Sequence, residues 1–490
     1  MDKKTKIVAT VSDRRCDVDF IRSLYEAGMN AVRINTAHAS LQGAEEVVKN
    51  VRKVSDKIAI MIDTKGPEIR LTGMAAGFEG GFQVAAGDVL TIKGTSVEAD
   101  LKSSPDMLYM TDPSIYNDVP VGARILIDDG ELELIVKEKK DEMLFCRVSN
   151  KGKIKAYKSV NIPGVPIDLP SITAKDKEYI LWAIENDVDF IAHSFVRSKE
   201  DVLAVKKIVK EHNSPIKIIS KIENREGVLN IDEILTETYG VMVARGDLGV
   251  EIPAEEIPVT QRYIVRKCVE AKTPVIIATQ MLHSMMSNPR PTRAEVSDIA
   301  SAIYQRVDAI MLSGETANGD YPEESVLTMA RIAAQIEKDV NQKPDSDMNM
   351  VSINNEITAQ LARSAVRATL NLPVKAIIID TMSGRTGRYL SAFRGNKPVY
   401  AICYKKCVMR QLAISYGIYA MYSEQSETHN SFLLSTLYSL ERKRWLFKED
   451  LVVVLGGSFG PEKGASFMEI GNVINFQHKA IKREITCNQE

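Results

Sequence analysis

Nowhere in the 490 residues does an apolar run approach the roughly 20 residues that a membrane span needs, so no membrane is expected among the partners. Neither sign of charge is in excess. Sixty-three Lys and Arg stand against 65 Asp and Glu, with no long block of either. That balance argues against general nucleic-acid binding and leaves room for a local basic pocket. Cysteine is scarce and scattered, at Cys16, Cys146, Cys268, Cys403, Cys407 and Cys487. None forms a Cys-x-x-Cys, and Cys403 with Cys407 lacks companions for a zinc site, so buried or idle thiols in a reducing cytoplasm are expected. The N-terminus passes straight into the strand-like Lys6-Ile-Val-Ala-Thr-Val11 without the plan of a signal peptide, which also favours the cytoplasm. The sequence has no HExxH, no Cys-His pairing and no Gly-x-Ser-x-Gly, so zinc and nucleophilic hydrolysis have little support.

What is present is an alternation of short apolar strands with amphipathic helical stretches, in a chain long enough for about three domains. Strands are expected at Lys6 to Val11, Ala31 to Asn35 and Ile58 to Thr64, and, after a break, within Asp189 to Phe195, Lys217 to Glu223, Gly240 to Asp247, Thr273 to Thr279 and Asp308 to Glu315. Eight strands, each with a helical partner, suit a (β/α)8 TIM barrel. An open doubly wound sheet is the alternative, and the absence of Gly-x-Gly-x-x-Gly weighs against it. The break, from about Leu71 to Pro166, holds no long helix. Its short alternating runs (Val89-Leu-Thr-Ile, Arg124-Ile-Leu-Ile, Leu132-Glu-Leu-Ile-Val) read as a small all-β domain inserted in a barrel loop. A polar linker near 342–347 leads to a further α/β domain. The expected organisation is barrel over 1–70, inserted β lid over 71–166, barrel again over 167–341, and a C-terminal α/β domain over 342–490.

Barrel enzymes gather their reacting groups at the C-terminal ends of the strands. Here those ends carry Arg33 and Asn35, Asp63-Thr64, Ser194, Lys221 and Glu223, Arg245-Gly246-Asp247, Thr279-Gln280, and Ser313-Gly314-Glu315. Lys221 and Glu223 lie two apart and so face one side of their strand. Alone, such a pair is more often an idle ion pair than a site. Glu223 and Asp247, from adjacent strands, can share a hard cation such as Mg²⁺, which prefers few carboxylates plus substrate oxygens. Arg33, Arg70 and Lys221 converging on them would suit a phosphate-bearing anion. Phosphoryl transfer needs positioning and charge neutralisation more than a nucleophile, and this set supplies both.

The motifs themselves carry a resemblance. Ile218-Ile-Ser-Lys221-Ile-Glu-Asn-Arg-Glu-Gly227 resembles the active-site signature of the pyruvate kinase family. Met61-Ile-Asp-Thr-Lys-Gly-Pro-Glu-Ile-Arg70, Val243-Ala-Arg-Gly-Asp-Leu-Gly249, Ala278-Thr-Gln-Met-Leu282 and Leu312-Ser-Gly-Glu-Thr-Ala317 resemble further blocks of that family, in the same order. The likeness spans nearly the whole chain. It implies phosphoryl transfer from phosphoenolpyruvate to ADP, giving pyruvate and ATP. By resemblance, Glu223 and Asp247 would hold Mg²⁺, Lys221 would stabilise charge on the phosphoryl group and the enolate, and Arg33 would grip the phosphate. Thr279 would stand at the carbon that is protonated, ordering water there. Gly246 and Asp247 would hold the substrate carboxylate through backbone N–H groups, with Ser194 also among the substrate contacts. The inserted domain would be a lid over the nucleotide, contacted by His38, Arg70 and Lys158. A metal-dependent pyruvate aldolase or lyase and a non-catalytic metabolite binder are the rival readings.

Some positions depart from the family pattern. Its monovalent-cation set, normally for K⁺, would draw on Asn35, Asp63 and Thr64, yet Ala37 stands where a Ser hydroxyl is usual. Glu68 matches K⁺-requiring members and Leu71 does not, so K⁺ dependence stays open. Ser12-Asp13 replaces Gly-Pro, and Asn318 stands where Lys is common, leaving nucleotide preference open. In the C-terminal domain, Thr381-Met-Ser383-Gly-Arg-Thr386 resembles the pocket for phosphorylated sugar effectors, with Gly456-Gly-Ser-Phe-Gly-Pro461 as its covering loop. Family resemblance also leads to the expectation of a homotetramer.

Overall fold

A computed structural model describes residues 3–96, 99–340, 350–354, 356–424, 429–457 and 464–479. The linker near 342–347, most of the loop 456–461 and Cys487 lie outside the described residues. Eight parallel strands close into a barrel: β1 (Lys6–Thr10), β2 (Ala31–Asn35), β3 (Ala59–Asp63), β4 (Phe190–His193), β5 (Lys217–Ile222), β6 (Gly240–Ala244), β7 (Val275–Ala278) and β8 (Ala309–Leu312). Each pairs with its sequence neighbour, and β1 closes on β8. These strands are apolar at nearly every position because both faces are covered. Val8, Ala59, Met61, Phe190, Ala192, Ile219, Met242, Ile276 and Met311 fill the interior, while their neighbours pack outward against the helices.

Capping residues mark the helix starts. Asp17, Ser40 and Thr173 each accept a backbone N–H three residues on. Thr173 forms a full capping box with Asp176. Asp176 Oδ1 also accepts the N–H groups of Lys65 (3.0 Å) and Gly66 (3.3 Å), tying the exit of β3 to that helix. Gly66 has φ +72°, and a Cβ there would come within 2.9 Å of the Ser194 side chain. Only glycine fits a chain so close to the end of β4.

The inserted segment folds on a core of its own, which includes Ile92, Leu108, Ile125, Leu134 and Cys146. Its seven-stranded sheet begins with Ile69–Arg70, which pairs with Ser159–Asn161. Arg70 therefore belongs to the inserted sheet, a residue earlier than composition places its start. The C-terminal domain is a five-stranded sheet. Its strands are β9 (Val374–Thr381), β10 (Val399–Cys403), β11 (Ile418–Tyr422), β12 (Leu451–Gly456) and β13 (Phe467–Asn472), ordered β11-β10-β9-β12-β13, with only β13 antiparallel.

Two aspartates at the strand starts bind this domain to the barrel. Asp308, just before β8, accepts Arg394 Nη1 at 2.9 Å and Nη2 at 2.5 Å, together with Ser391 Oγ and the Tyr416 N–H. Asp189, just before β4, accepts Arg410 Nε at 2.6 Å and Arg52 Nη2 at 3.2 Å. Removing one partner of such a buried pair strands the other charge, so these contacts hold the two domains in one arrangement. The five cysteines described are free thiols, four of them buried. Among the described residues no helix is long and apolar enough to cross a membrane.

His193, the last residue of β4, is buried, and both ring nitrogens lack a hydrogen-bond partner. Burial holds its pKa down at about 4, against 6.5 ordinarily, so the folded protein keeps it neutral. A base whose pKa falls on folding favours the folded state above its unfolded value and loses that support as pH drops. Between pH 6.5 and 4 this one group is expected to remove about 3 kcal/mol of stability. Urea unfolding of the parent and of His193→Leu, followed from pH 7 to 4, should show a flatter dependence in the variant. Parallel curves would mean that the imidazole is not buried neutral.

Candidate active site

The C-terminal ends of β2 to β5 meet in a buried charge network. Lys221, at the end of β5, places Nζ 3.0 Å from Asp63 Oδ1, 2.9 Å from Glu223 Oε1 and 2.7 Å from Ser194 Oγ. Asp63 uses its other oxygen for Arg33 Nε at 2.6 Å, and Arg33 Nη1 reaches Thr10 Oγ1 at 3.1 Å. Strand register sets this up, since Thr10 lies beside Arg33 and Asn35 beside Asp63. Burial opposes the Lys221 charge, but Asp63 and Glu223 outweigh it and hold its pKa above the ordinary lysine value. Burial works against Asp63 too, and Arg33 with Lys221 keeps its pKa below the usual carboxylate range. The neighbours of Lys221 thus favour its charged form.

Glu223 is held from its other side by the Phe195 N–H, 2.7 Å from Oε2. Phe195 takes φ +54° to present that N–H. Burial pushes the Glu223 carboxyl up to about 7; Lys221 pulls the other way, and Asp247 adds to the rise. Asp247 sits in the short helix Arg245–Glu251 after β6, exposed, with no hydrogen bond or ion pair to another described residue. Two carboxylates thus stand at successive strand ends, after β5 and after β6, on one wall of the site. The donor set therefore fits a small hard dication that takes its remaining oxygens from substrate. No group of three or more His, Cys, Asp or Glu that would form an all-protein metal cage occurs among the described residues.

A cleft of about 610 Å³ opens between barrel and inserted domain, lined by Glu223 and Asp247 on one side and by Arg70, Asp128 and Lys158 on the other. Lys158 Nζ lies 2.7 Å from Asp128, and Arg70 is paired with Glu68 at 2.6 Å and bonded to the Tyr157 carbonyl. His38 stands apart from this cleft, exposed on the loop after β2. Arg33, Lys221 and Ser194 form the wall behind Glu223 rather than the cleft lining. Ser194 is buried, and its hydroxyl is 2.7 Å from the Thr64 carbonyl, so it serves here to seat Lys221. Asn35 accepts the Ala37 N–H at 3.1 Å, and Thr64 Oγ1 accepts the Ser194 N–H at 3.0 Å. Of the monovalent-cation set, Asp63 already matches both oxygens to cations. Asp13 accepts the Ser40 N–H at 3.3 Å, at the start of the helix Leu41–Val54. A Cβ at Gly43 would collide with it. Its charge therefore stabilises a helix N-terminus. Thr381 Oγ1 accepts the Gly384 N–H at 2.9 Å, forming the turn into the helix Arg385–Ala392, where Thr386 is buried; Ser383 is exposed.

Thr279 is the strained member. It has φ +69° and Gln280 has +56°, rare for a β-branched residue. Two contacts hold it. Its Oγ1 accepts the Gly246 N–H at 2.8 Å, so that N–H is engaged within the protein, and its carbonyl accepts Arg245 Nη2 at 2.8 Å. Arg245 is itself gripped by both oxygens of Asp298, at 2.8 and 2.7 Å. Arg245 is among the strand-end residues of the sequence, whereas Asp298 carries no local signal in the middle of the helix Arg293–Tyr304. Glu315 was noticed as a strand end; it is buried and holds the Leu282 and Ser313 N–H groups, fixing the loops after β7 and β8.

A barrel whose strand ends present a buried lysine beside two carboxylates, facing a cleft that the inserted domain lines with Arg70 and Lys158, has the form of a (β/α)8-barrel phosphotransferase. The family comparison makes this specific. Residues 2–326 match the pyruvate kinase barrel domain, and residues 359–470 match the pyruvate kinase alpha/beta domain. The chain belongs to the pyruvate kinase family, and its reaction is phosphoryl transfer from phosphoenolpyruvate to ADP, giving pyruvate and ATP. It is 44% identical to a pyruvate kinase of Borreliella burgdorferi over 96% of this chain and 98% of that protein. It is 41% identical to one of Geobacillus stearothermophilus, over 97% of this chain and 81% of the relative. The crystal structure of a Cryptosporidium parvum pyruvate kinase superposes with a TM-score of 0.88 at 33% identity, covering 96% of both chains.

Asp298→Asn keeps the shape of the Arg245 clamp and removes its charge. It is expected to lower kcat about 10- to 100-fold with a smaller change in KM for phosphoenolpyruvate, because Thr279 drifts from its strained position. Solvent deuterium entry into the pyruvate methyl group, followed separately, should fall in step. Wild-type turnover in the variant would remove Arg245 and Asp298 from the positioning machinery.

Proposed function

We propose that the phosphoryl transfer is carried by Lys221, Arg33, Glu223 and Asp247, with Thr279 serving the proton step. The observation behind this is the state of Lys221: it is buried, triply bonded and held charged. A lysine that does not release its proton is no acid for the enolate; its part is electrostatic, stabilising charge as it builds on the phosphoryl group and the leaving enolate oxygen. Arg33, fixed by Asp63, presents a second cation for the phosphate. As the phosphorus–enolate oxygen bond breaks, a bond forms to a terminal oxygen of ADP, and the enolate then takes a proton on its methylene carbon. Thr279 accepts from Gly246, which leaves its own O–H free to orient a water toward that carbon. The Asp247 N–H would receive the substrate carboxylate, and the Gly246 N–H, now given to Thr279 Oγ1, would join it only by exchanging that partner.

Mg²⁺ would be held by Glu223 and Asp247, where it would supply charge neutralisation to the substrate oxygens. Arg70 and Lys158 would exchange their present acid partners, Glu68 and Asp128, for nucleotide phosphates as the lid closes, with His38 at its margin. Asn35, Asp63 and Thr64 would receive K⁺, a set short of one hydroxyl at Ala37. Thr381, Ser383 and Thr386 would receive the phosphate of a sugar effector. A cytoplasmic homotetramer completes the reading.

The test is pyruvate release from phosphoenolpyruvate with Mg²⁺ and ADP, in Na⁺ and in K⁺ buffers, for the parent and Lys221→Met. The variant is expected to fold and to lose about 10³-fold in kcat. Activity retained by a folded Lys221→Met would refute the role given to that ammonium. Equal turnover in the two salts would mean that the Asn35, Asp63 and Thr64 set does not depend on K⁺.

A further inference from the structure

Two chain segments tie the inserted domain to the barrel, and both come to rest on the loop after β4. On the outgoing side the chain turns at Gly66, where a Cβ would press on the Phe195 ring at 2.8 Å and on the Ser194 side chain at 2.9 Å. On the returning side, Val165, Ile167 and Leu169 pack against the core of the inserted domain. Arg197 grips that segment from the barrel. Its Nη1 donates to the Ile167 carbonyl at 3.3 Å and its Nη2 to the Leu169 carbonyl at 2.9 Å. Asp201, in the first turn of the helix Lys199–Glu211, holds the guanidinium from behind, accepting Nε at 3.2 Å and Nη2 at 3.1 Å. The same carboxylate accepts the Arg197 N–H at 2.9 Å and the Ser171 hydroxyl.

The loop from Ser194 to Arg197 also carries the site. Ser194 Oγ bonds Lys221, the Phe195 N–H bonds Glu223, and the Val196 N–H donates to the Lys221 carbonyl at 3.3 Å. At the end of the loop, Asn230 Nδ2 donates to the Arg197 carbonyl at 2.9 Å. The N–H that holds Glu223 and the guanidinium that holds the lid therefore belong to one short, pinned stretch of chain. Phe195 sits in it at φ +54°, a conformation its neighbours must enforce, so a shift of the loop is passed on to that N–H. We propose that Arg197 is a positioning residue for the reaction: by holding the returning segment it couples lid closure to the placement of Glu223 in the metal site. This rests on the reading that Glu223 and Asp247 take up the divalent cation. By linkage, a cation that draws Glu223 into place favours one lid position, and closing the lid tightens the cation by the same factor. Arginine suits the task because its planar fork bonds two carbonyls and a carboxylate at once, whereas a lysine presents its donors from a single nitrogen.

Amide hydrogen exchange of the full-length protein tests this, with Mn²⁺ and phosphoenolpyruvate as probes and Mn²⁺ occupancy followed separately by electron paramagnetic resonance. In the parent, the two probes together are expected to slow exchange in the segment 162–172 about tenfold. Arg197→Lys should still bind both probes yet lose most of that slowing. Asp201→Asn, which keeps both carbonyl bonds and loosens the fork behind them, should lose part of it, and it carries the test if Arg197→Lys does not fold. A merely structural arginine would raise exchange by the same factor with and without the probes. That result, or the parent's full response in every folded variant, would overturn the proposal. So would a parent that binds Mn²⁺ with no change in 162–172. Failure of the metal reading looks different: Mn²⁺ would bind Asp247→Asn as it binds the parent, and the coupling would fall with it.

Discussion

A positive charge buried at the mouth of a barrel must be neutralised there, and the ammonium of Lys221 sets the arrangement of everything around it. Asp63 and Glu223 supply the compensating charge from β3 and from the loop after β5, and Ser194 supplies a hydroxyl from the end of β4. Each of those groups is then fixed in turn. Asp63 is held by Arg33, Ser194 by the Thr64 carbonyl, and Glu223 by the Phe195 N–H. Four strands are thereby cross-tied at the end where chemistry occurs. The strain at Phe195 is what the local chain accepts to keep a buried carboxylate satisfied.

Strain recurs at Thr279, with a different anchor. There the backbone is held by a guanidinium clamped to a carboxylate on a helix, so Asp298 reaches the Thr279 carbonyl through Arg245. The two arrangements divide the work. The neighbours of Lys221 favour its charge, whereas those of Thr279 fix its backbone and hydroxyl position. A site that must stabilise a phosphoryl group in flight and later deliver a proton needs both kinds of preorganisation.

The far end of the barrel follows the same rule. Asp189 and Asp308 neutralise Arg410 and Arg394, and they lock the C-terminal domain to the barrel. Across the cleft Arg70 and Lys158 are matched as well, by Glu68 and Asp128.

The sequence by itself determined the strands, their order and the chemistry at their ends. An apolar run buried on both faces declares itself, and Lys221 and Glu223 two apart on one strand must point together. The inserted sheet was equally legible, because its period-two alternation and turn residues break the helical rhythm around it. Only the tertiary structure decided what each end group touches. Ser194 bonds Lys221, Asp13 accepts the N–H of the capping residue Ser40, and Asp298 reaches Arg245 across 53 residues of sequence. The reason is physical: local pattern encodes which face of an element is buried, whereas charge neutralisation is settled between elements that meet only when the barrel closes.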